Sequence, residues 1–212
     1  SDYRELVSRP DVDLVSIASP PHLHAEMALA AIDAAKPVLA EKPLAHGAYW
    51  HYSNIAYSLL GEVVARVSGE SAEKYLTEHV LAPVGMTRTT WTAEEPAAAG
   101  YLVHPYTDVP RLQPVIEGRA VAPAAELWST AEDLCRWAAF IADPDPAVLS
   151  RETVEEMSAF QSMVDLTKWR LGYGLGFALY RSGDDLFVGH DGAHAGYLGH
   201  VSAFPPKRTG AA

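Results

Sequence analysis

The spacing of apolar residues changes along this chain near residue 50, and this change constrains the fold more than any other feature. Before it, the run VDLVSIAS over residues 12–19 is short, apolar and partly β-branched, and it ends at Pro20-Pro21, which is typical of a strand buried on both faces. After it, the segment IAYSLLGEVVARVSG repeats apolar residues at helical spacing and closes at Gly69, which predicts a long helix. The two parts therefore favour different kinds of architecture.

The first part predicts a β-α-β unit. After the two prolines, the segment HLHAEMALAAIDAA carries apolar residues at helical spacing, and Pro37-Val38-Leu39-Ala40 begins a second short strand. Two strands joined by one helix pair in parallel, through a right-handed crossover.

The second part predicts helices followed by strands. Pro83 and Gly85 end a second helix, and residues 92–127 lack periodicity, so we expect long loops around a functional surface. The three helices expected after Gly69 cover about residues 71–82, 130–141 and 150–158. Two or three antiparallel strands are expected in GLGFALYR, DDLFVGH and GYLGHVSAF, separated by residues 182–184 and 192–196.

Composition excludes several classes of partner. Lys+Arg 16 against Asp+Glu 27 gives a net charge of -11, which repels nucleic acid and anionic membrane surfaces. The chain starts with charged residues and lacks the run of about 18 apolar residues that a membrane span needs, so we expect a cytoplasmic protein. The single cysteine, Cys135, lies in LCRWAAFI. It is predicted to be a buried core residue on the apolar face of a helix.

Residues 1 to about 45 resemble the cofactor domain of the glucose-fructose oxidoreductase and inositol dehydrogenase family. The resemblance rests on the strand ending at Pro20-Pro21, on His24 followed by Glu26, and on Glu41-Lys42-Pro43. It implies that residues 1–46 are a fragment of a dinucleotide-binding, Rossmann-like domain, in which Lys42 would reach nicotinamide and substrate.

A bound dinucleotide is nevertheless not expected, and we predict no cofactor. The pyrophosphate needs a glycine-rich turn at a helix N-terminus, and no G-x-G-x-x-G precedes residue 46. Lys42 is therefore interpreted as a vestigial, solvated residue. His22 and His24 point to different faces of a helix, so no metal site is predicted there.

From about residue 49 onward the chain resembles the penicillin-binding and class C β-lactamase family of serine hydrolases. Five segments appear in the family's order: YSNIAYSLLGEVVARVSGES, LAPVGMTRTTW, APAAELWSTAEDLCRWAAF, YGLGFALY and GHDGAHAGY. The resemblance implies an α+β fold over residues 47–212, with an incomplete, truncated β-lactamase-like helical lobe and antiparallel strands, preceded by the parallel β-α-β unit. Members of this family are often exported.

The resemblance also assigns roles to residues. The family forms an acyl-enzyme on the serine of an S-x-x-K motif. By resemblance Tyr52 would shuttle a proton and Asn54 would bind the substrate amide. His190 and Gly192 match the family's third motif, in which the next backbone N–H, that of Ala193, forms half of an oxyanion hole.

The nucleophile motif is the missing part. The only S-x-x-K in the sequence is Ser71-Ala72-Glu73-Lys74, which lies after the Tyr52 helix, where we expect Ser71 to start a helix and Lys74 to be solvated. A phenol loses its proton near neutral pH only when a neighbouring cation lowers its pKa. Without the lysine of the S-x-x-K motif, Tyr52 has no such cation in the predicted site. The domain is therefore predicted to be catalytically impaired.

Three functions stay open: an impaired serine hydrolase for a β-lactam, D-alanyl peptide or ester; a fragment of an NAD(P)-dependent oxidoreductase; and a non-enzymatic, chimeric binding module that uses Tyr52, Asn54 and His190. The expected partner is a small molecule. Self-association through unpaired sheet edges is also expected. The histidines at positions 190, 194 and 200 lack the pattern of zinc ligands, so no metal is predicted.

Overall fold

The computed structural model describes residues 2–12, 15–17, 21–34, 36, 38–40, 50, 52–104, 106–165 and 167–212. The chain forms two compact units, Ser1–Tyr75 and Leu76–Ala212. The predicted boundary between residues 46 and 47 lies outside the described residues, as does Lys42, so both stay predictions.

The first unit contains the predicted β-α-β arrangement. Its elements are α1 (Tyr3–Val7), β1 (Val15–Ile17), α2 (Pro21–Asp33), β2 (Val38–Ala40) and α3 (Asn54–Ser68). Strands β1 and β2 pair in parallel, with Val15 opposite Val38, which confirms the prediction. Helix α1 was not predicted, because five residues are too few for a visible period.

The core of the first unit is small and rich in alanine. Its buried cluster consists of Val7, Val15, Ala28 and Ala31. Helix α1 and strand β1 therefore pack against the same side of α2. Helix α3 lies against α2, and the Arg66 guanidinium bonds to both Asp33 and Glu62. The chain therefore ties the helix that follows Tyr52 to the β-α-β unit.

A broken helical segment follows Ser71, and the hairpin after it was not predicted. The elements from Ala72 to Met157 are α4 (Ala72–Leu76), a π-helical turn (Thr77–Leu81), α5 (Ala82–Val84), β3 (Tyr101–Val103), β4 (Pro110–Leu112), a 3-10 turn (Arg119–Val121), α6 (Ala122–Ala125), α7 (Ala131–Ala142) and α8 (Arg151–Met157). The predictions at 71–82, 130–141 and 150–158 are thus confirmed. The prediction of loops alone over 92–127 is wrong, because strands of three residues show no alternation.

The second unit is built on a six-stranded sheet. Its strands are β5 (Ser162–Met163), β6 (Leu171–Tyr173), β7 (Ala178–Ser182), β8 (Asp185–His194), β9 (Tyr197–Phe204) and β10 (Thr209–Ala211), a 3-10 turn (Pro205–Lys207) preceding the last. All neighbours are antiparallel, in the order β10-β9-β8-β7-β6-β5. The α+β class is confirmed, with more strands than predicted because β5, β6 and β10 are very short.

One predicted turn is displaced. The break expected at residues 192–196 is wrong in its first half, since β8 runs on through His194 and Gly192 pairs with Gly199 of β9. Only the two residues between β8 and β9 form the turn.

Helix α7 covers one face of this sheet. Ile141 and Ala142 pack on Leu179, Val188 and Ala203 of three neighbouring strands. Burial of a side chain as large as Ile141, Leu179 or Val188 stabilises the folded state by roughly 1.5–3 kcal/mol. The core therefore determines that the Val188 side of the sheet faces α7.

Cys135 lies on the opposite side of α7, and its predicted burial is wrong. The cysteine is exposed, as are Glu132 and Ala139, three and four residues away on the same stripe. The buried positions Ala138, Ile141 and Ala142 form the other face.

Asp133 anchors the start of α7 to the chain that follows α5. Its side chain is 0% exposed and accepts from the Arg88 N–H (2.7 Å), the Thr89 hydroxyl (2.9 Å) and Arg136 Nη1 (2.5 Å). Burial raises the pKa of this carboxyl, but the three donors outweigh burial and hold the pKa below its ordinary value. The ionised form is therefore part of the fold.

None of the helices within the described residues combines the length and the apolar character that a membrane crossing needs.

We expect Asp133→Ala to lower the free energy of unfolding by about 3 kcal/mol, because the Thr89 hydroxyl and the Arg88 N–H lose their acceptor. Urea denaturation measures the loss. Asp184→Ala, at a fully exposed carboxylate, is the control and should change little. An equal loss in both variants would contradict the anchoring role.

The same carboxylate should make stability depend on acid. A lowered folded-state pKa contributes stability above the ordinary value of about 4, and this contribution is lost as the pH falls through the folded pKa. Asp133→Asn cannot titrate, so its stability should fall less than that of the wild type below about pH 4. Parallel acid loss in the two proteins would contradict this.

Candidate functional site

Tyr52 and Asn54 lie at the start of α3, in the first unit. Ser53 caps the helix, and its Oγ accepts the Ala56 N–H at 3.2 Å. Tyr52 precedes the cap and is 49% exposed, while Asn54 is the first helical residue and is also exposed. The cap therefore places both predicted side chains at an accessible helix N-terminus.

His190 and Gly192 lie on β8, in the second unit. The His190 imidazole meets the Tyr173 ring edge to face, with the ring centres 5.8 Å apart. Gly192 is directly opposite Gly199, and among the described residues a Cβ added at Gly192 would meet only the Gly199 carbonyl oxygen, at 3.9 Å. The end of β8 therefore presents bare backbone at Gly192.

Two hydrogen bonds orient the ring of His190. Its Nδ1 is 2.5 Å from the Asp191 carbonyl oxygen, and its Nε2 is 3.2 Å from the Tyr173 hydroxyl. A carbonyl oxygen only accepts, so Nδ1 carries a proton and donates it to Asp191. The buried Tyr173 thus orients the imidazole.

A second cluster, which the sequence did not reveal, centres on Asp191. Its Oδ1 is 2.7 Å from Nδ1 of His200 on β9, and its Oδ2 accepts from the Tyr180 hydroxyl of β7 at 2.8 Å. The Tyr180 and His200 rings also meet edge to face, 5.5 Å apart. The Asp191 side chain thus joins three adjacent strands.

The charges of this cluster shift two pKa values. The hydrogen bond from His200, and then the one from Tyr180, hold the pKa of Asp191 below its usual value. Burial, followed by the hydrogen bond to Asp191, raises the pKa of Tyr180. Asp191 is therefore an anion at neutral pH and Tyr180 a phenol.

The chain before β3 closes over the turn that joins β8 to β9. Gly196 has φ +85°, and a Cβ there would lie 2.6 Å from the backbone of Gly100. Tyr197 donates to the Ala98 carbonyl at 3.0 Å and meets Trp128 edge to face. These contacts fix the β8–β9 turn, which lies next to the end of β8 that carries Gly192.

Ser71 starts a helix as the sequence predicts, whereas Lys74, predicted to be solvated, forms an ion pair. Ser71 Oγ accepts the Lys74 backbone N–H at 3.2 Å, at the start of α4. Lys74 Nζ pairs with Glu70 Oε1 at 2.9 Å. The serine oxygen thus serves as a helix cap, and the ammonium group is held by a carboxylate.

The beta-lactamase family model matches residues 14–212 of this chain. Beta-lactamase-like protein 2 of Dictyostelium discoideum is 29% identical over 168 residues, which cover 76% of this chain and 30% of that protein. The octameric penicillin-binding protein homologue from Pyrococcus abyssi superposes with a TM-score of 0.68 at 25% identity, over 91% of this chain and 43% of its own.

A short segment of the chain is similar to a dehydrogenase. Levoglucosan dehydrogenase of Pseudarthrobacter phenanthrenivorans is 53% identical over 45 residues, which cover 21% of this chain and 12% of that protein. The chain thus spans less than a third of the length of either curated relative.

We expect His200→Phe to raise the pKa of Asp191, because phenylalanine keeps a ring against Tyr180 but removes the strongest donor. Carboxyl ¹³C chemical shifts measured against pH report the change. Tyr180→Phe removes the weaker donor and should raise the pKa less. The reverse order would contradict the ranking of the two partners.

Proposed function

Since this chain belongs to the beta-lactamase family, we propose that its 212 residues bind an acyl compound of the β-lactam, D-alanyl peptide or ester class without forming an acyl-enzyme. The observation that carries the proposal is the state of the single S-x-x-K motif. Ser71 Oγ accepts a backbone N–H and Lys74 is paired with Glu70.

Attack on a carbonyl needs a hydroxyl whose proton a base removes. Ser71 Oγ sits at the start of α4 as a helix cap, and Lys74 Nζ is 2.9 Å from Glu70 Oε1. The proposal therefore assigns neither the nucleophile nor the base of an acylation step to this pair.

Recognition is supported by the end of β8. The exposed backbone at Gly192 offers a strand edge to a planar amide or ester, and the His190 ring two residues away is held by Tyr173 and by the Asp191 carbonyl. The N–H of Ala193 is proposed as a donor to the ligand carbonyl, as half of an oxyanion hole. For Tyr52 and Asn54, at the start of α3 in the first unit, the proton-shuttling and amide-binding roles that the family resemblance implies stay predictions.

The oxidoreductase alternative is favoured by the parallel β1–α2–β2 arrangement and the 45-residue match. The sequence lacks the glycine-rich turn that holds a pyrophosphate. Titration of the chain with NADH, followed by cofactor fluorescence, should show no saturable binding. Saturation would favour this alternative, with Lys42 as its binding residue.

Incubation with benzylpenicillin or a chromogenic ester should give no covalent adduct by intact mass spectrometry, in the wild type and in Ser71→Ala alike. The ligand should nevertheless raise the melting temperature. Gly192→Ala meets only ordinary contacts, so the variant should fold normally and lose most of this ligand-induced shift. An adduct that Ser71→Ala abolishes would overturn the proposal.

Self-association is proposed through the β3–β4 hairpin. Both strands are exposed at every position, and Val103 and Leu112 are 63% and 64% exposed. Apolar strands with open edges favour pairing between chains. Light scattering after size exclusion should show oligomers that Val103→Lys dissociates, whereas Ser182→Lys should not; a monomeric wild type would contradict this.

A further inference from the structure

The Asp191 cluster fixes which nitrogen of His200 is basic. The ionised Asp191 carboxylate only accepts hydrogen bonds, so the His200 Nδ1, 2.7 Å from Asp191 Oδ1, carries a proton. In the neutral ring the lone pair is then on Nε2. This Nε2 forms no hydrogen bond within the part of the chain that the structure describes, and the His200 side chain is 51% exposed. His200 therefore offers a basic nitrogen to solvent.

Asp191 also holds the ring in place and favours its charged form. The other Asp191 oxygen accepts from the Tyr180 hydroxyl at 2.8 Å, and the Tyr180 ring meets the His200 ring edge to face. The three residues lie on β7, β8 and β9, so none of them depends on a loop. A carboxylate bonded to the Nδ1–H group stabilises the imidazolium that forms when Nε2 takes up a proton. The pair thus has the arrangement of a general base and the residue that positions it.

The surroundings of this pair favour a neutral, partly apolar substrate. Leu198 lies two residues before His200, the spacing at which strand side chains return to one face, and is 90% exposed. Between them, a Cβ added at Gly199 would meet none of the described residues within 4 Å, so the backbone can be approached closely. Asp191 is negative, and none of the described Lys and Arg side chains pairs with it. The pair therefore repels carboxylates and accepts a neutral compound.

We propose that His200 acts as a general base in the hydrolysis of neutral aryl esters. Nε2 takes a proton from a water molecule while the water oxygen bonds to the ester carbonyl carbon. The bond between this carbon and the phenolic oxygen then breaks, and the proton on Nε2 passes to the phenolate. The products are a carboxylic acid and a phenol. An aryl ester suits the pair, because a phenolate leaves readily before it is protonated.

This activity differs in its chemistry from the binding of the acyl ligand proposed for the end of β8. It uses neither Ser71 nor the backbone at Gly192. Water rather than a protein oxygen attacks the ester, so no covalent intermediate forms. A chromogenic ester can therefore be hydrolysed without leaving an adduct on the chain.

The release of nitrophenolate from para-nitrophenyl acetate, followed by absorbance, measures this activity in the 212-residue chain. Turnover should be slower in heavy water, because a proton moves as water attacks. His200→Gln should lower the rate about tenfold, less than the roughly 10²–10⁴-fold of an enclosed general base, because the pair is open to water. His194→Gln, at another exposed histidine of the β8–β9 hairpin, and Ser71→Ala are the controls and should leave the rate unchanged.

The position of the proton on His200 supplies a second readout. In alkaline solution the ring ¹⁵N resonances of the wild type should show the proton on Nδ1. Asp191→Ala removes the acceptor, so the ring should become a mixture of both tautomers and the rate should fall. The proposal is refuted by equal rates of wild type and His200→Gln, by an equal loss in His194→Gln, by a rate that Ser71→Ala abolishes, by equal rates in light and heavy water, or by a wild-type ring with its proton on Nε2.

Discussion

The register between β8 and β9 is the constraint on which the rest of the second unit depends. Seven consecutive residue pairs, from Val188 opposite Ala203 to His194 opposite Tyr197, run without a bulge. Because strand side chains alternate between faces, a slip by one residue would exchange every side chain between core and solvent. The burial of Val188 and Ala203 under Ile141 excludes such a slip. The core thus sets which residues of β8 and β9 lie opposite each other, including Asp191 and His200.

The end of β8 combines an oriented imidazole, open backbone and a bound carboxylate. His190 is held by the Tyr173 hydroxyl and the Asp191 carbonyl, and Gly192 leaves backbone uncovered. The Asp191 carboxylate links β7 and β9 through Tyr180 and His200. An anion bound on both sides stiffens the strand. We infer that this support helps to hold the end of β8 in place for a ligand.

The first unit carries family features in another setting. Helix α3 begins at Tyr52-Ser53-Asn54, as the family resemblance leads one to expect, yet it is bound through Arg66 to a parallel β-α-β unit. The only serine and lysine at S-x-x-K spacing form a helix cap and an ion pair. Ser71 and Lys74 thus have structural roles in this chain, apart from the residues at the end of β8.

The sequence by itself determined what local rules control: the helix over α3 with its Gly69 end, the helix over about residues 130–141, the parallel pairing of β1 with β2, and the start of a helix at Ser71. The sequence did not predict the β3–β4 hairpin, because strands of three residues are too short to show alternation. It also did not predict the exposure of Cys135, because packing against the sheet decides which face of α7 is buried. Only the tertiary structure placed His200 opposite Asp191 and Tyr173 beside His190. Each of these pairings depends on a strand register or on packing between distant segments, which no local pattern contains.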